Sequence, residues 1–224
     1  MEGAKSVLEV LHQQTLEIEG IYALSDWITT HATILAPYQA TVQIVTEKEL
    51  HRISNLKTPN QVFCICKIPA NSMDPLVVNN SLTLYLDNIP DPGNMGSILR
   101  IADWFGIPYV WCSSDSVEVY NPKVIQASMG AFLRVKTVVL PFDDLKNEFP
   151  DLPIFASVLG GQNVLTQNFP ANGILVIGNE GNGIQSAIIE QADYKVTIPK
   201  GKQGGAESLN AAVATGILCS ALCK

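Results

Sequence analysis

Glycine and polar side chains gather at three places in the second half of this 224-residue chain: Asp87 to Gly96, Gly178 to Gly183 and Lys200 to Ser208. Each follows an apolar run that reads as a β-strand. In an open α/β sheet, ligands bind beyond the carboxyl ends of the strands, so these loops can converge on one pocket. Glycines at 178, 181 and 183 permit close backbone approach to a ligand, although the same spacing also suits a tight turn into a helix. Two nucleotide-binding chemistries are disfavoured directly, since neither Gly-x-Gly-x-x-Gly nor Gly-x-x-x-x-Gly-Lys-Ser/Thr occurs. His12, His31 and His51 all precede residue 69, so the half that carries the loops has no imidazole to serve as a base.

The elements that must hold these loops follow from hydrophobic period and turn punctuation. Apolar strand candidates recur at Leu82–Leu86, Tyr109–Cys112, Val135–Leu140, Ile154–Val158, Ile174–Ile177 and Lys195–Ile198, with helical patterns between most of them. That alternation predicts an α/β fold with a mostly parallel sheet covered by helices. Asn94 to Phe105 reads as a helix with Met95, Ile98, Leu99, Ala102 and Phe105 on one face. Asn121-Pro122 predicts an N-cap and first helical residue, with the helix running to about Met129. A last helix from about Ser208 to Leu222 is expected to bury Leu209, Val213, Ile217 and Leu222. Before residue 68 the pattern is helix, strand, helix, strand, helix, strand. Val7, Leu8 and Leu11 share a helical face, Val42–Val45 and Gln61–Lys67 are strands, and Thr46-Glu-Lys-Glu49 is a capping box for a helix through Leu56. Pro69 to Asn80 has two prolines, three asparagines and little periodicity. It reads as a linker at 69–80 between a domain at 1–68 and another at 81–224.

Composition bounds the function classes. The chain is 47% hydrophobic and 16% charged, enough for one or two globular cores, and its apolar runs fall far short of the roughly 20 residues that cross a bilayer. The opening residues lack the unbroken apolar core of a signal peptide, so a cytoplasmic protein without membrane contact is expected. Five cysteines, at 64, 66, 112, 219 and 223, lie in apolar stretches without metal-ligand spacing and read as buried reduced thiols, with no metal. A net charge of −7 opposes broad phosphate binding and restricts any RNA surface to a local basic patch. Lys200 with Lys202, and Arg134 with Lys136 along a strand, are the candidate pairs, or else ordinary solvated cations.

Taken together and in order, the three loops resemble the three motifs of the SpoU/TrmH family of RNA 2′-O-ribose methyltransferases, within the SPOUT superfamily. The first motif is Asn94-Met-Gly-Ser-Ile-Leu-Arg100. The second is Ile174-Leu-Val-Ile-Gly-Asn-Glu-Gly-Asn-Gly-Ile184, and the third runs from Ile198-Pro199 to Ser208-Leu-Asn210. Asn121-Pro-Lys-Val-Ile-Gln-Ala-Ser-Met-Gly130 also looks like a family signature. The resemblance is close over residues 82 to 222 and looser over the first 67.

The resemblance implies a C-terminal trefoil knot in the catalytic domain, a small N-terminal α/β substrate-binding domain, and a homodimer with sites near its interface. It implies methyl transfer from S-adenosyl-L-methionine to a ribose 2′-hydroxyl of structured rRNA or tRNA. The cofactor would lie against Gly178, Asn179, Ile198, Pro199, Ser208 and Leu209, with Leu209 on the adenine. Arg100, which is ordinarily always protonated, would anchor a substrate phosphate through its bidentate fork, and either that phosphate or a transiently perturbed guanidinium would accept the hydroxyl proton; a surface pair with Asp103 is the alternative. Asn94 would orient the arginine or the ribose, or merely cap its helix. Glu180 is the family's cofactor-site carboxylate, or bonds the backbone of its own loop. Ser208 and Asn210 would hydrogen-bond the substrate or the neighbouring loop, with serine as a plain N-cap in competition. The opening Met-Glu-Gly-Ala-Lys resembles the middle of the family's N-terminal domain, which predicts a shortened RNA-recruiting module, and the loop from Lys200 to Glu207 is longer than in the shortest members. Two other classes stand beside this reading: a knotted RNA-binding protein without catalysis, and an oxidoreductase, which the missing nucleotide fingerprint disfavours.

Overall fold

The computed structural model describes residues 1–54, 58, 60–70 and 72–223. The chain divides into two compact units, 1–70 and 71–224.

In the first unit, α1 (Ala4–Gln13) is followed by β1 (Ile18–Ala23), α2 (Ser25–Thr30), α3 (Ala32–Leu35), a 3₁₀ turn, β2 (Val42–Ile44), α4 (Glu47–Ile53) and β3 (Val62–Cys66). The strands form a sheet in the order β2-β1-β3, with β1 parallel to β2 and antiparallel to β3. Val7, Leu11, Ile21, Trp27, Val62 and Cys64 make its core. The capping box is in place: the Thr46 hydroxyl accepts from the Glu49 amide, and the Glu49 carboxylate accepts from the Thr46 amide at 2.8 Å. The helix stops at Ile53, with Ser54 already extended; Leu56, its expected end, lies outside the described residues.

The second unit begins within the stretch expected to be a linker. Pro75–Asn79 is a short helix, α5, because Asp74 accepts from the Leu76 amide and proline starts the turn, and Val78 is buried in the core. There follow β4 (Leu82–Asp87), α6 (Pro92–Trp104), β5 (Tyr109–Cys112), α7 (Pro122–Ser128), β6 (Lys136–Val139), α8 (Phe142–Glu148), β7 (Ile154–Asn163), β8 (Gly173–Gly178), α9 (Ser186–Glu190), β9 (Tyr194–Thr197) and α10 (Ala211–Leu222). Six strands pair in the order β6-β5-β4-β8-β7-β9, every pair parallel. The order reverses at β4 and β8, the place where an open parallel sheet leaves a crevice. Both strands are buried on both faces, which is why they read as unbroken apolar runs. Full burial of each Leu, Ile or Val there stabilises the sheet by about 1.5–3 kcal/mol.

Three local expectations are revised. β7 runs to Asn163, past the expected Val158, because its exposed second half pairs with β9 after a register shift and so carries no apolar pattern. The last helix starts at Ala211, since Asn210 and not Ser208 is its N-cap: the Asn210 Oδ1 accepts from the amides of Ala212 and Val213 at 3.0 and 3.2 Å. Its buried face is therefore Ala211, Ala212, Thr215, Leu218, Cys219 and Leu222, while Leu209 and Val213 are 45% and 52% exposed. Along α6 the expected face is buried except for a half-exposed Phe105, the C-cap residue.

Candidate active site

Beyond the ends of β8 and β9 and beside the middle of β7, two of the three loops, those after β8 and β9, enclose a cavity of about 680 Å³, a size typical of small-molecule sites, while the loop after β4 stays outside its lining. Its wall is formed by the loop 178–184, the segment 196–201, residues 206–209 and the inner face of α10.

The loop after β8 is held from within and from beneath. Asn179 and Gly183 exchange backbone hydrogen bonds, and Gly183 sits at φ +71°, a conformation that glycine adopts without strain. The Asn179 Oδ1 accepts from the amides of Gly181 and Asn182 at 2.8 and 3.1 Å, while its Nδ2 donates to the Asn88 carbonyl at 3.0 Å. Asp87, 1% exposed at the end of β4, accepts from the Gln185 amide at 2.7 Å and from its Nε2 at 2.6 Å. The loop's exit is thus clamped to the central strand. Asp87 and Gln185 were missed by sequence reasoning; the signal was a lone carboxylate closing an otherwise uncharged, buried strand.

Asn94, Glu180 and Asn210, from three separated stretches, form one cluster. The Glu180 Oε1 accepts from the Asn94 Nδ2, from the Ala211 amide at 3.2 Å and from the Asn210 Nδ2 at 3.4 Å. The Asn210 Nδ2 also donates to the Asn94 Oδ1 at 2.7 Å. The glutamate is therefore spent on the two asparagines and on the N-terminus of α10, where the helix dipole favours negative charge. Bracing the glycine loop falls to Asn179 instead. Asn94 is not the cap of α6; Asp91 is, accepting from the Asn94 amide at 2.7 Å.

Gly178, Asn179, Glu180, Ile198, Pro199, Ser208 and Leu209 all line the cavity. A Cβ at Gly178 would lie 2.4 Å from the Gly183 carbonyl carbon and 2.5 Å from the Ile184 nitrogen, so this strand end packs directly on its own loop. Arg100 stands apart. It is exposed, about one and two-thirds turns beyond Asn94 on α6, and does not line the cavity. Asp103, its alternative partner, is taken by Arg134, whose Nε and Nη2 approach the carboxylate at 2.9 Å. Among the described residues Arg100 has no hydrogen-bond or ion-pair partner. Of the other basic candidates, Lys136 donates to the Tyr109 hydroxyl at 3.3 Å, and Lys200 stands exposed at the cavity wall.

The comparisons with known proteins agree with this geometry. The SpoU rRNA Methylase family matches residues 81–220. The Bacillus subtilis 23S rRNA (guanosine(2553)-2′-O)-methyltransferase RlmP is 30% identical over 182 residues, spanning 78% of this chain and 69% of that protein. A structure described as a putative RNA methyltransferase of the TrmH family from Porphyromonas gingivalis superimposes with a TM-score of 0.84 at 35% identity, covering 99% of this chain and 88% of the other. The SpoU methyltransferase AviRb from Streptomyces viridochromogenes, in complex with AdoMet, shares the fold with a TM-score of 0.81 at 23% identity, over 99% of this chain and 88% of that one. With the three motifs, the cavity that the second and third of them line and the family match covering one and the same region, the chain belongs to the SpoU rRNA methylase family.

Proposed function

We propose that this protein transfers a methyl group from S-adenosyl-L-methionine to a ribose 2′-hydroxyl of rRNA or tRNA. The observation that carries this reading is the Asn94–Glu180–Asn210 cluster standing beside a glycine-walled cavity. The cavity suits an adenosyl group: Ile177, Ile184, Val196, Leu209 and Leu218 offer apolar surface for the base, and backbone at Gly178, Ile198 and Leu209 offers polar groups at its edge. When bound, the sulfonium supplies an electrophilic methyl carbon. What this chain must add is position, since in-line placement of hydroxyl and methyl accounts for much of the barrier reduction. Asn94 and Asn210, fixed by Glu180, orient the ribose, with Ser208 at the cavity wall beside them. Arg100, on the outer face of α6, holds a phosphate of the RNA, and the hydroxyl proton passes to that phosphate or to the arginine side chain after it has given up a proton and become a neutral guanidine.

The same reading includes a trefoil knot, with α10 threaded through the preceding loop. It is supported by the contact of Glu180, in the glycine loop, with Asn210 and Ala211 thirty residues later. It includes a homodimer, supported by the exposed Leu209 and Val213 at the start of α10. The unit at 1–70 recruits RNA, and the second unit is the methyltransferase domain. No helix among the described residues is long and apolar enough to cross a membrane, and the site of action proposed is the cytoplasm.

The test is incubation of the purified protein and labelled S-adenosylmethionine with unmodified rRNA and tRNA, followed by nucleoside mass spectrometry. A 2′-O-methylnucleoside is expected. Cofactor binding in calorimetry without methylation of any RNA would favour the inactive RNA-binding alternative, and absence of cofactor binding would overturn the reading. Light scattering should give a dimer without added cofactor.

A further inference from the structure

We infer that Trp104 and Arg100 together form a nucleotide-binding element on the outer face of α6, the indole stacking on a base of the substrate RNA while the guanidinium holds its phosphate. This rests on the RNA methyltransferase reading and adds to it a residue that none of the three motifs contains.

Of the chain's three tryptophans, Trp27 and Trp111 are 3% and 0% exposed, whereas Trp104 is 85% exposed. It follows Arg100 by four residues on a continuous helix, which places the two about 6 Å apart along the axis and about 40° apart around it. They share one face. That separation is about the reach from a nucleotide's phosphate to its own base. The neighbours of this face are accounted for. On one side Asp103 is paired with Arg134. On the other Ile101 packs beside Gly216, and Asn94 turns to Asn210. Between them runs a stripe of Gly93, Ser97, Arg100 and Trp104, beginning at the site and leading away from it.

The chemistry of the stripe points to nucleic acid. Arg100 is a cation with no partner among the described residues, in a chain of net charge −7. Such a chain has little charge to spend on phosphates, and base stacking on an aromatic ring supplies affinity that does not depend on counterion release. A guanidinium and an exposed indole on one face are the parts of a single-strand-binding platform. A second copy of the chain is the other conceivable occupant. The exposed surface at Leu209 and Val213 is more apolar than this stripe and suits such a contact better.

Because Trp104 is the exposed one of three indoles, the long-wavelength part of the protein's fluorescence reports on it. Titration with a short single-stranded oligoadenylate should quench that emission and protect it from iodide. Trp104→Ala should bind the same oligonucleotide roughly ten-fold more weakly by fluorescence anisotropy, with Trp104→Phe recovering part of the loss. Arg100→Ala should reduce the salt slope of binding by about one, which Trp104→Ala should not do. Heat of S-adenosylmethionine binding should be the same in wild type and in Trp104→Ala. Equal RNA affinity in Trp104→Ala and wild type would overturn the inference. So would iodide-shielded Trp104 emission in the RNA-free dimer that becomes accessible on dilution to monomer, since the second copy would then be the occupant. If the wild type binds no S-adenosylmethionine, the methyltransferase reading fails instead. Quenching by oligoadenylate is read independently of that.

Discussion

Replacing Gly178 by alanine adds one methyl group and tests the glycine loop more sharply than a larger residue would. Gly178 does not lie at positive φ, so the backbone itself tolerates a side chain. The obstacle is space: the new Cβ would meet the Gly183 carbonyl carbon at 2.4 Å, the Ile184 nitrogen at 2.5 Å and the Gly183 oxygen at 2.6 Å. All three are backbone atoms, which cannot rotate away as a side chain would. The loop must move outward by about 1 Å to restore ordinary contact, at an overpacking cost of about 1–3 kcal/mol. For a chain of this length, each kcal/mol lowers Tm by about 2–4 °C, so the expected fall is about 2–12 °C. The same movement displaces the cavity wall, and S-adenosylmethionine affinity should fall at least about ten-fold, or ~1.4 kcal/mol. Gly183→Ala is the control, because nothing lies within 4 Å of its Cβ and only its φ of +71° is strained. It should melt earlier by a similar amount but lose less affinity. Differential scanning calorimetry and titration calorimetry read the two quantities separately. A Gly178→Ala protein with wild-type melting and wild-type cofactor affinity would refute both the packing argument and the placement of the cofactor.

Arg100→Ala should abolish methyl transfer while leaving S-adenosylmethionine affinity within about two-fold, as its place outside the cavity requires; Arg100→Lys should also fail, because an ammonium lacks the bidentate fork. Asp87→Ala strands two donors of Gln185 and should cost about 1–3 kcal/mol and raise the cofactor Kd. Asp87→Asn should come close to wild type in both, since the Gln185 amide can rotate to accept from the new amide; equal melting of the two variants would count against the clamp. Among the thiols, Cys66 is held below the ordinary value by the hydrogen bond from Cys64, and Cys223 by that from Cys219, whereas burial pushes Cys112 up to about 12. Iodoacetamide at pH 8 should therefore label Cys66 and Cys223 well before Cys112, as peptide mass spectrometry would show.

Much of the second unit was legible because its strands are buried on both faces. Such strands are almost wholly apolar, Thr83 being the exception that spends its hydroxyl on the Gly173 carbonyl, so their limits coincide with the end of the apolar run, as at Asp87 and Gly178. Capping chemistry was equally legible where side chain and amide are neighbours in sequence, as at Thr46 and Asn121. The three motifs placed Asn94, Glu180 and Asn210 in order along the chain. Nothing in their spacing showed that one carboxylate oxygen takes hydrogen bonds from both asparagines, because that depends on where β4, β8 and β9 end relative to one another. The choice of Asn210 over Ser208 as cap was likewise tertiary: both side chains suit the role, and the approach of Glu180 to the Ala211 amide marks where the helix begins. The sequence offered Asp103 one neighbouring cation, Arg100, three residues before it, as the alternative to a phosphate-holding arginine. The packing of α6 beside the turn before β6 instead delivered Arg134, 31 residues later, to that carboxylate and left Arg100 to the solvent. Local pattern thus located the doubly buried strands and the caps formed by neighbouring amides, but not the start or the buried face of α10, where Leu209 and Val213 are exposed. Which polar groups meet was decided by the fold, since it alone brings the loops after distant strands within hydrogen-bonding distance of one another.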